Sequence, residues 1–352
     1  MAVPFSRFLG FAMVIVAMLA LAGCGGIMPK SSSLRATQSL KQSVVDKMKA
    51  MGTSPGQATM IRIIKEENAL EVWKRTAAGG FKFFKTYEIC AYSGTFGPKV
   101  KEGDRQAPEG FYNITPALMN PNSSYYLSFD TGFPNKFDRA HGRTGSNLMV
   151  HGDCSSRGCY SMTDEAIAEI YAIVRESFAG GNAAVQLQIY PFRMTPQKLA
   201  AHSGDANISF WHNIKEGYDR FELAKVPASW DVCEKKYVFD LKREDDQPLD
   251  AVAACPPRGN DPLLAALIAK QAADDKLYQA EIAAIGNREA AKLAAAKAEA
   301  DVKAAAKARG EAIGGAVTGL FGGGQQAAAP APAPAESSDS APPVPMAAPK
   351  GS

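Results

Sequence analysis

The sequence predicts a mainly β domain with peripheral helices (an α+β fold), followed by a C-terminal Ala/Lys-rich helix and a disordered tail. Runs of β-branched and aromatic residues bounded by turn residues recur between Thr59 and Phe239. A long amphipathic helix lies among them, and the composition changes abruptly after Pro256-Pro257. The 352 residues would accommodate two average domains, but the first two dozen residues and the last ninety or so lack globular composition. What remains is about one domain, long enough to bury a sizeable core.

Arg7 supplies a small positive charge ahead of an uncharged apolar run, Phe8 to Ala22. The run is short for a membrane-spanning helix and suits the hydrophobic region of a signal peptide. It ends in Leu21-Ala22-Gly23-Cys24, which resembles a bacterial lipobox, so residues 1–24 read as a lipoprotein signal with Cys24 as the lipidated residue. Such signals are cut before the cysteine. By resemblance to enteric lipoproteins, Gly25 in place of Asp favours the outer membrane. A periplasmic protein anchored to a membrane by its N-terminal lipid is the expected location.

Residues 25–56 read as a tether carrying one short amphipathic piece, Leu34 to Met51. A globular domain follows over 57–245. Met60 to Lys65 and Ala69 to Lys74 flank the turn Glu66-Glu67-Asn68, and Gly79-Gly80 precedes Phe81 to Cys90, so three strands are expected. Tyr92 to Ile114 is rich in Gly and Pro, hence loops with short strands. Thr163 caps a helix whose Ile167, Ile170, Tyr171, Val174 and Phe178 share one face, with Gly180 at its end. Val185, Leu187 and Ile189 alternate as a strand, and Thr195-Pro196 opens a short helix. Trp211 to Phe221 reads as mixed helix and loop. Asp261-Pro262 starts the last helix, 261–309, where Ala supplies helix propensity and apolar positions are too sparse for a coiled-coil seam. Glycines from Gly310 onward should end it, and 310–352 is too poor in apolar residues to fold.

A net charge of +3 gives no electrostatic footprint for nucleic acid, and no zinc-finger or other metal spacing occurs. With Cys24 taken by lipid, five cysteines remain, and an odd number in an oxidising compartment leaves at least one free thiol. Cys90 reads as a core residue, Cys154 as either a resting partner of the nearby thiol or a small buried residue, and Cys233 and Cys255 as a possible pair.

The chemistry concentrates in His141 to Thr163. Leu148 to Val150 reads as a strand leading into His151, a loop of Gly, Ser and Asp follows, and Gly158-Cys159 closes it just ahead of the capped helix. A thiol so placed should feel the positive end of the helix dipole, which lowers its pKa. The N–H groups of Gly158 and Cys159 are available to an oxyanion, and His151 can fold back as general base.

These residues resemble the catalytic motif of the YkuD-type L,D-transpeptidases, a strand-borne His-Gly followed by a loop ending in Ser-x-Gly-Cys. The closer likeness is to the YafK-like subgroup, which has His-Gly-Asp-Cys, then Gly-Cys, then Met-Thr-Asp, as in His151 to Cys154, Gly158-Cys159 and Met162 to Asp164. The likeness continues through Gly103-Asp104-Arg105, Pro108 to Tyr112, Asn120 to Tyr125, Leu127 to Phe129, Gly132 to Asn135 and Asp138 to Gly145, covering about residues 57–240.

The resemblance implies a YkuD-like catalytic domain working without metal or organic cofactor on peptidoglycan stem peptides. It assigns Cys159 as nucleophile and His151 as base, with the carbonyl of Gly152, or the carboxylate of Asp153, orienting the imidazole. A thioester at the diaminopimelate centre would be resolved by an amine or by water. Family members form crosslinks, attach proteins to the wall, or hydrolyse such bonds, and the subgroup includes an enzyme that releases wall-bound lipoprotein. The usual His and Arg flanking the nucleophile are Arg157 and Ser161 here, so Arg157, Arg143, Asp153 and His141 become the candidates for contacting substrate. The reading from another class is a non-catalytic, peptidoglycan-binding lipoprotein tether, which requires neither His151 nor Cys159.

Overall fold

The computed structural model describes residues 31–243 and 245–321, so the lipobox reading at Cys24 lies outside the described residues. The chain divides into two units, residues 1–286 and 287–352. The first holds two five-stranded sheets and most of the helices.

Strands β1 (Thr59–Ile64), β2 (Ala69–Arg75) and β3 (Phe81–Glu88) form an antiparallel meander. Asn68 supplies the left-handed residue of the first turn, a conformation that Asn tolerates. β10 (Val185–Tyr190) runs parallel to β1, and β5 (Gly110–Ile114) completes the sheet, giving the order β3-β2-β1-β10-β5. The second sheet has the order β4-β9-β8-β7-β6, built from β4 (Ala91–Tyr92), β6 (Met119–Asn120), β7 (Ser128–Asp130), β8 (Met149–His151) and β9 (Tyr160–Ser161). Its β8–β9 pair is parallel and the others are antiparallel.

Two short N-terminal helices, α1 (Ser31–Thr37) and α2 (Gln42–Ala50), precede the meander. They correct the expectation of a tether over 25–56. Ala36, Val44 and Met48 are buried in the main core, and Arg175 donates to the carbonyls of Ala36 and Gln38. The segment is amphipathic, and the apolar stripe is satisfied by packing on the domain.

After α3 (Lys136–Ala140) comes α4 (Asp164–Ala179), capped by the Thr163 hydroxyl, which accepts from the Ala166 N–H at 3.1 Å. Its apolar face touches β1 of one sheet and β7 and β8 of the other, so Ile167, Ile170 and Val174 join Ile61, Val72, Phe129, Val150 and Tyr160 in one core. The first sheet is covered on its opposite face too, by α6 (Ile208–Ala224), whose Trp211 and Tyr218 pack with Phe111 and Tyr190. The short helix α5 (Pro196–Ala201) opens at Thr195-Pro196.

Three readings change here. Trp211 to Phe221 lies within one continuous helix, and Gly217 is a packing glycine. A Cβ there would stand 2.4 Å from the Phe239 ring and 2.5 Å from that of Phe111. The last helix, α7 (Leu264–Phe321), runs past Gly310 and Gly314 instead of ending there. Alanine propensity summed over many residues outweighs about 1 kcal/mol for each glycine. Residues 310–321 are therefore helical rather than part of a disordered tail. Residues 322–352 lie outside the described residues. Within the first unit α7 is held by Leu267, which is buried, and by the ion pair of Asp274 with Lys215. The hairpin β11 (Trp230–Cys233) and β12 (Lys236–Phe239) closes the second core, with Cys233 bonded to Cys255.

In the second unit, residues 287–314 are exposed helix.

Candidate active site

The second sheet has one face in the core and one face left for chemistry. Val150, Phe129 and Tyr160 point inward. Register then fixes the outer face: Ser128, His151 and Ser161 form one row, and Asp130 and Met149 the next. Cys159 immediately precedes β9 and extends that second row, its Sγ accepting the Met149 N–H at 3.4 Å. His151 and Cys159 thus stand on one face of adjacent parallel strands, two residues out of step. Strand spacing and rise put their Cα atoms about 8 Å apart, within reach of side chains leaning towards each other.

His151 is buried, with Nδ1–H donating to the Gly152 carbonyl at 2.5 Å. A carbonyl only accepts, so the proton sits on Nδ1 and Nε2 is the basic nitrogen. Tyr125 lays its ring against the imidazole, centroids 4.8 Å apart. Burial is the main cause holding His151 below the usual histidine range, against opposing contributions from Gly152 and Asp153. Gly152 has no room for a side chain. A Cβ would lie 2.6 Å from Asp164 Oδ1 and 2.9 Å from the Tyr125 carbonyl oxygen.

Cys159 is partly exposed and is the free cysteine among the described residues. Its S–H faces the Asn147 carbonyl at 3.6 Å. Burial pushes the thiol up, and Asp130 adds to this while the Met149 N–H and Lys99 oppose it. Both directions favour a neutral thiol beside a neutral imidazole. The loop between them is tied at three points. Cys154 is bonded to Cys90, the Asp153 N–H donates to Asp164 Oδ1 at 3.0 Å, and Ser156 Oγ donates to the Cys159 carbonyl at 2.6 Å.

The family comparison decides what this arrangement belongs to. The L,D-transpeptidase catalytic domain (YkuD) model matches residues 58–186. The chain is 37% identical over 239 residues to a protein of Escherichia coli strain K12 named "Putative L,D-transpeptidase YafK", covering 67% of this chain and 92% of that one. The chain belongs to the L,D-transpeptidase family. Among solved structures it is similar to the helical cell shape determining protein Pgp2 (K307A mutant) of Campylobacter jejuni, with TM-score 0.32 and 20% identity, covering 51% of this chain and 68% of that one. It is also similar to Mycobacterium tuberculosis L,D-transpeptidase 1, with TM-score 0.22 and 13% identity, covering 38% and 62% respectively.

Against the L,D-transpeptidase motif, several sequence expectations change. The helix dipole does not govern the thiol: Cys159 leads into β9, four residues intervene before Asp164, and burial dominates. Cys90 and Cys154 are neither core residues nor partners of Cys159, since they are bonded to each other and both exposed. Arg143 is not a free clamp. Its guanidinium donates to buried Asp138 at 2.8 Å and lies over the Phe137 ring. His141 is exposed, but its Nδ1 faces the Phe137 carbonyl at 3.0 Å and its ring lies tilted against that of Phe137, centroids 4.2 Å apart. The Asp153 carboxylate is exposed and leaves the imidazole to Gly152. Arg157 is exposed and makes no hydrogen bond or ion pair among the described residues. The Gly158 N–H is turned towards Ser156 Oγ at 3.3 Å, whereas that of Cys159 meets no acceptor among the described residues. Ser161, standing where the family has Arg, is buried and donates to the Ala91 carbonyl.

Sequence reasoning missed Tyr125, Ser156 and Asp130. Tyr125 lay inside a stretch shared with the family, and Ser156 inside the motif loop. Asp130 carries no sequence signal until the register of β7 against β8 is known.

Proposed function

We propose that this chain is a peptidoglycan-modifying cysteine acyltransferase, with Cys159 as nucleophile and His151 as its base. The observation that carries the reading is the placement of one free thiol and one imidazole, its tautomer fixed by the Gly152 carbonyl, on a single face of adjacent strands. His151 Nε2 takes the proton as Cys159 Sγ attacks the donor carbonyl at the diaminopimelate centre of a stem peptide. The Cys159 N–H faces the developing oxyanion. The imidazolium returns its proton to the leaving amine, and a thioester remains. An acceptor amine then attacks, giving up a proton to His151, and the thiol is regenerated. Arg157, exposed and uncommitted, is the cation available for a stem carboxylate.

Hydrolysis is the second outcome of the same chemistry, and one observation favours it: Cys159 is partly exposed beside an exposed loop, Asp153 to Ser155, so water has access to a thioester. Incubating the full chain with a purified stem tetrapeptide, with and without excess acceptor amine, and reading products by mass tests both. Crosslinked product without hydrolysis even when acceptor is absent rules out the hydrolytic reaction. Hydrolysis alone at saturating acceptor rules out the transferase, and no product of either kind favours a non-catalytic tether.

The lipobox at Leu21 to Cys24 supports a lipid-anchored periplasmic location with wall-attached protein as a further partner. A fatty-acid probe that labels the Cys24→Ser protein would disprove it.

A further inference from the structure

The outer face of the second sheet has a polar strip beyond the thiol and the imidazole. Cys159, Met149 and Asp130 stand side by side across three strands, and each is partly exposed, whereas Ser128, His151 and Ser161 in the next row are buried. The thiol therefore lies at one end of an accessible strip and a carboxylate at the other, with a thioether between. Two strand spacings make the strip about 10 Å long between Cα atoms. Asp130 Oδ1 accepts the Gly132 N–H at 2.8 Å. Its second oxygen has no partner, and no lysine or arginine among the described residues pairs with it. Lys99, the cation nearest in effect to the thiol, is committed to Asp104.

A half-buried carboxylate with one free oxygen, facing the substrate side of a sheet, is a receptor for an ammonium group. We infer that Asp130 binds the side-chain ammonium of the donor residue whose carbonyl Cys159 attacks, selecting a long, unbranched diamino acid. In an extended diaminopimelate or lysine side chain the amine lies roughly 7 Å from the carbonyl carbon, which fits the strip once both end side chains lean inward. Met149 would line the methylene chain between the two ends. Burial holds the Asp130 carboxyl above the usual carboxylate range, the condition in which an incoming cation restores its charged form.

This inference rests on the stem-peptide reading above, and its test separates the two. The full chain carrying Cys159→Ala holds peptide without consuming it. Its affinity is measured for a stem tetrapeptide with diaminopimelate at the attacked position, and for the same peptide acetylated on the side-chain amine. Both are repeated with Asp130→Asn added, a change that keeps an oxygen for the Gly132 N–H. The free-amine peptide should bind about tenfold more tightly than the acetylated one, and the difference should vanish in the Asp130→Asn protein. Equal affinity for the two peptides, or a preference that survives Asp130→Asn, overturns the ammonium site while leaving the stem-peptide reading intact. Failure of either peptide to bind at millimolar concentration overturns the stem-peptide reading and the ammonium site with it.

Discussion

The two five-stranded sheets place polar groups in opposite situations. In the first, every residue of β1 is buried and both faces are covered, so its charges end inside the protein. Lys65 Nζ donates to Glu109 Oε1 at 2.9 Å and to the Ala107 carbonyl at 2.8 Å, and Trp211 Nε1 donates to Glu109 Oε2. Arg62 pairs with Glu222 and Lys74 donates to the Pro55 carbonyl and the Thr59 hydroxyl. In the second sheet the outer face is accessible along the row of Cys159, Met149 and Asp130, and the thiol of Cys159, Nε2 of the buried His151 and one oxygen of Asp130 each keep an unused valence. In the first sheet Arg62 also leaves Nε and Nη2 without a partner, but they are sealed in the core, whereas Cys159 and Asp130 are partly exposed. A buried ion pair is costly to disturb and idle otherwise.

The contrast can be tested by mutating each sheet in turn. Cys159→Ala should abolish turnover and acyl-adduct formation while the thermal midpoint stays within a few degrees, and Cys154→Ser should retain substantial activity. A dead Cys154→Ser with an active Cys159→Ala would reverse the assignment of the nucleophile. His151→Ala should lower kcat by about 10² to 10⁴ with the fold kept, measured by turnover on the same tetrapeptide. On the first sheet, Lys65→Met should do the opposite, costing about 3–5 kcal/mol in denaturant unfolding by stranding Glu109, with near-normal kcat in the folded fraction.

A smaller effect is expected in pH dependence. Burial disfavours charged His151, so its neutral, base-competent form persists below pH 6.5 as acid is added. The acid limb of kcat/KM should therefore have its midpoint under 6.5. A midpoint above 7 would contradict a His151 depressed by burial. The least effect belongs to the second unit: ending the chain at Gly310 should leave the midpoint of the catalytic domain unchanged within about 1 °C, since exposed helix contributes little to a core.

Local physics made much of the first sheet legible. β-Branched and aromatic runs, the Glu66-Glu67-Asn68 turn and the Gly79-Gly80 break outline β1 to β3, and the Thr163 cap and its apolar face outline α4. The motif loop stood out because His151, Gly158 and Cys159 are close in sequence. What depends on long-range pairing was hidden. Asp130 joins the site through register with a strand some twenty residues on, and Tyr125 by a turn that folds back over His151. The choice of Cys90 as partner for Cys154 is settled by β4 pairing with β9, which no spacing reveals. The N-terminal helices read as tether because their stripe of Ala36, Val44 and Met48 is short, and only the groove it fills shows its purpose.

The bond between Cys90 and Cys154 also constrains how the protein matures. Its cysteines are 64 residues apart, whereas Cys154 and Cys159 are separated by only five positions. Loop-closure entropy favours the short ring, so random oxidation of the unfolded chain would tend to consume the Cys159 thiol in a local bridge. The native pairing wins once β4 and β9 have met and Cys90 is held beside the loop. Oxidative refolding from the reduced state should accordingly yield inactive isomers that a disulfide isomerase or a thiol buffer rescues, and quantitative recovery of free Cys159 without either would count against this. Assembly of the loop from His151 to Cys159 is in this sense a race between a nearby wrong partner and a distant right one, decided by the sheet.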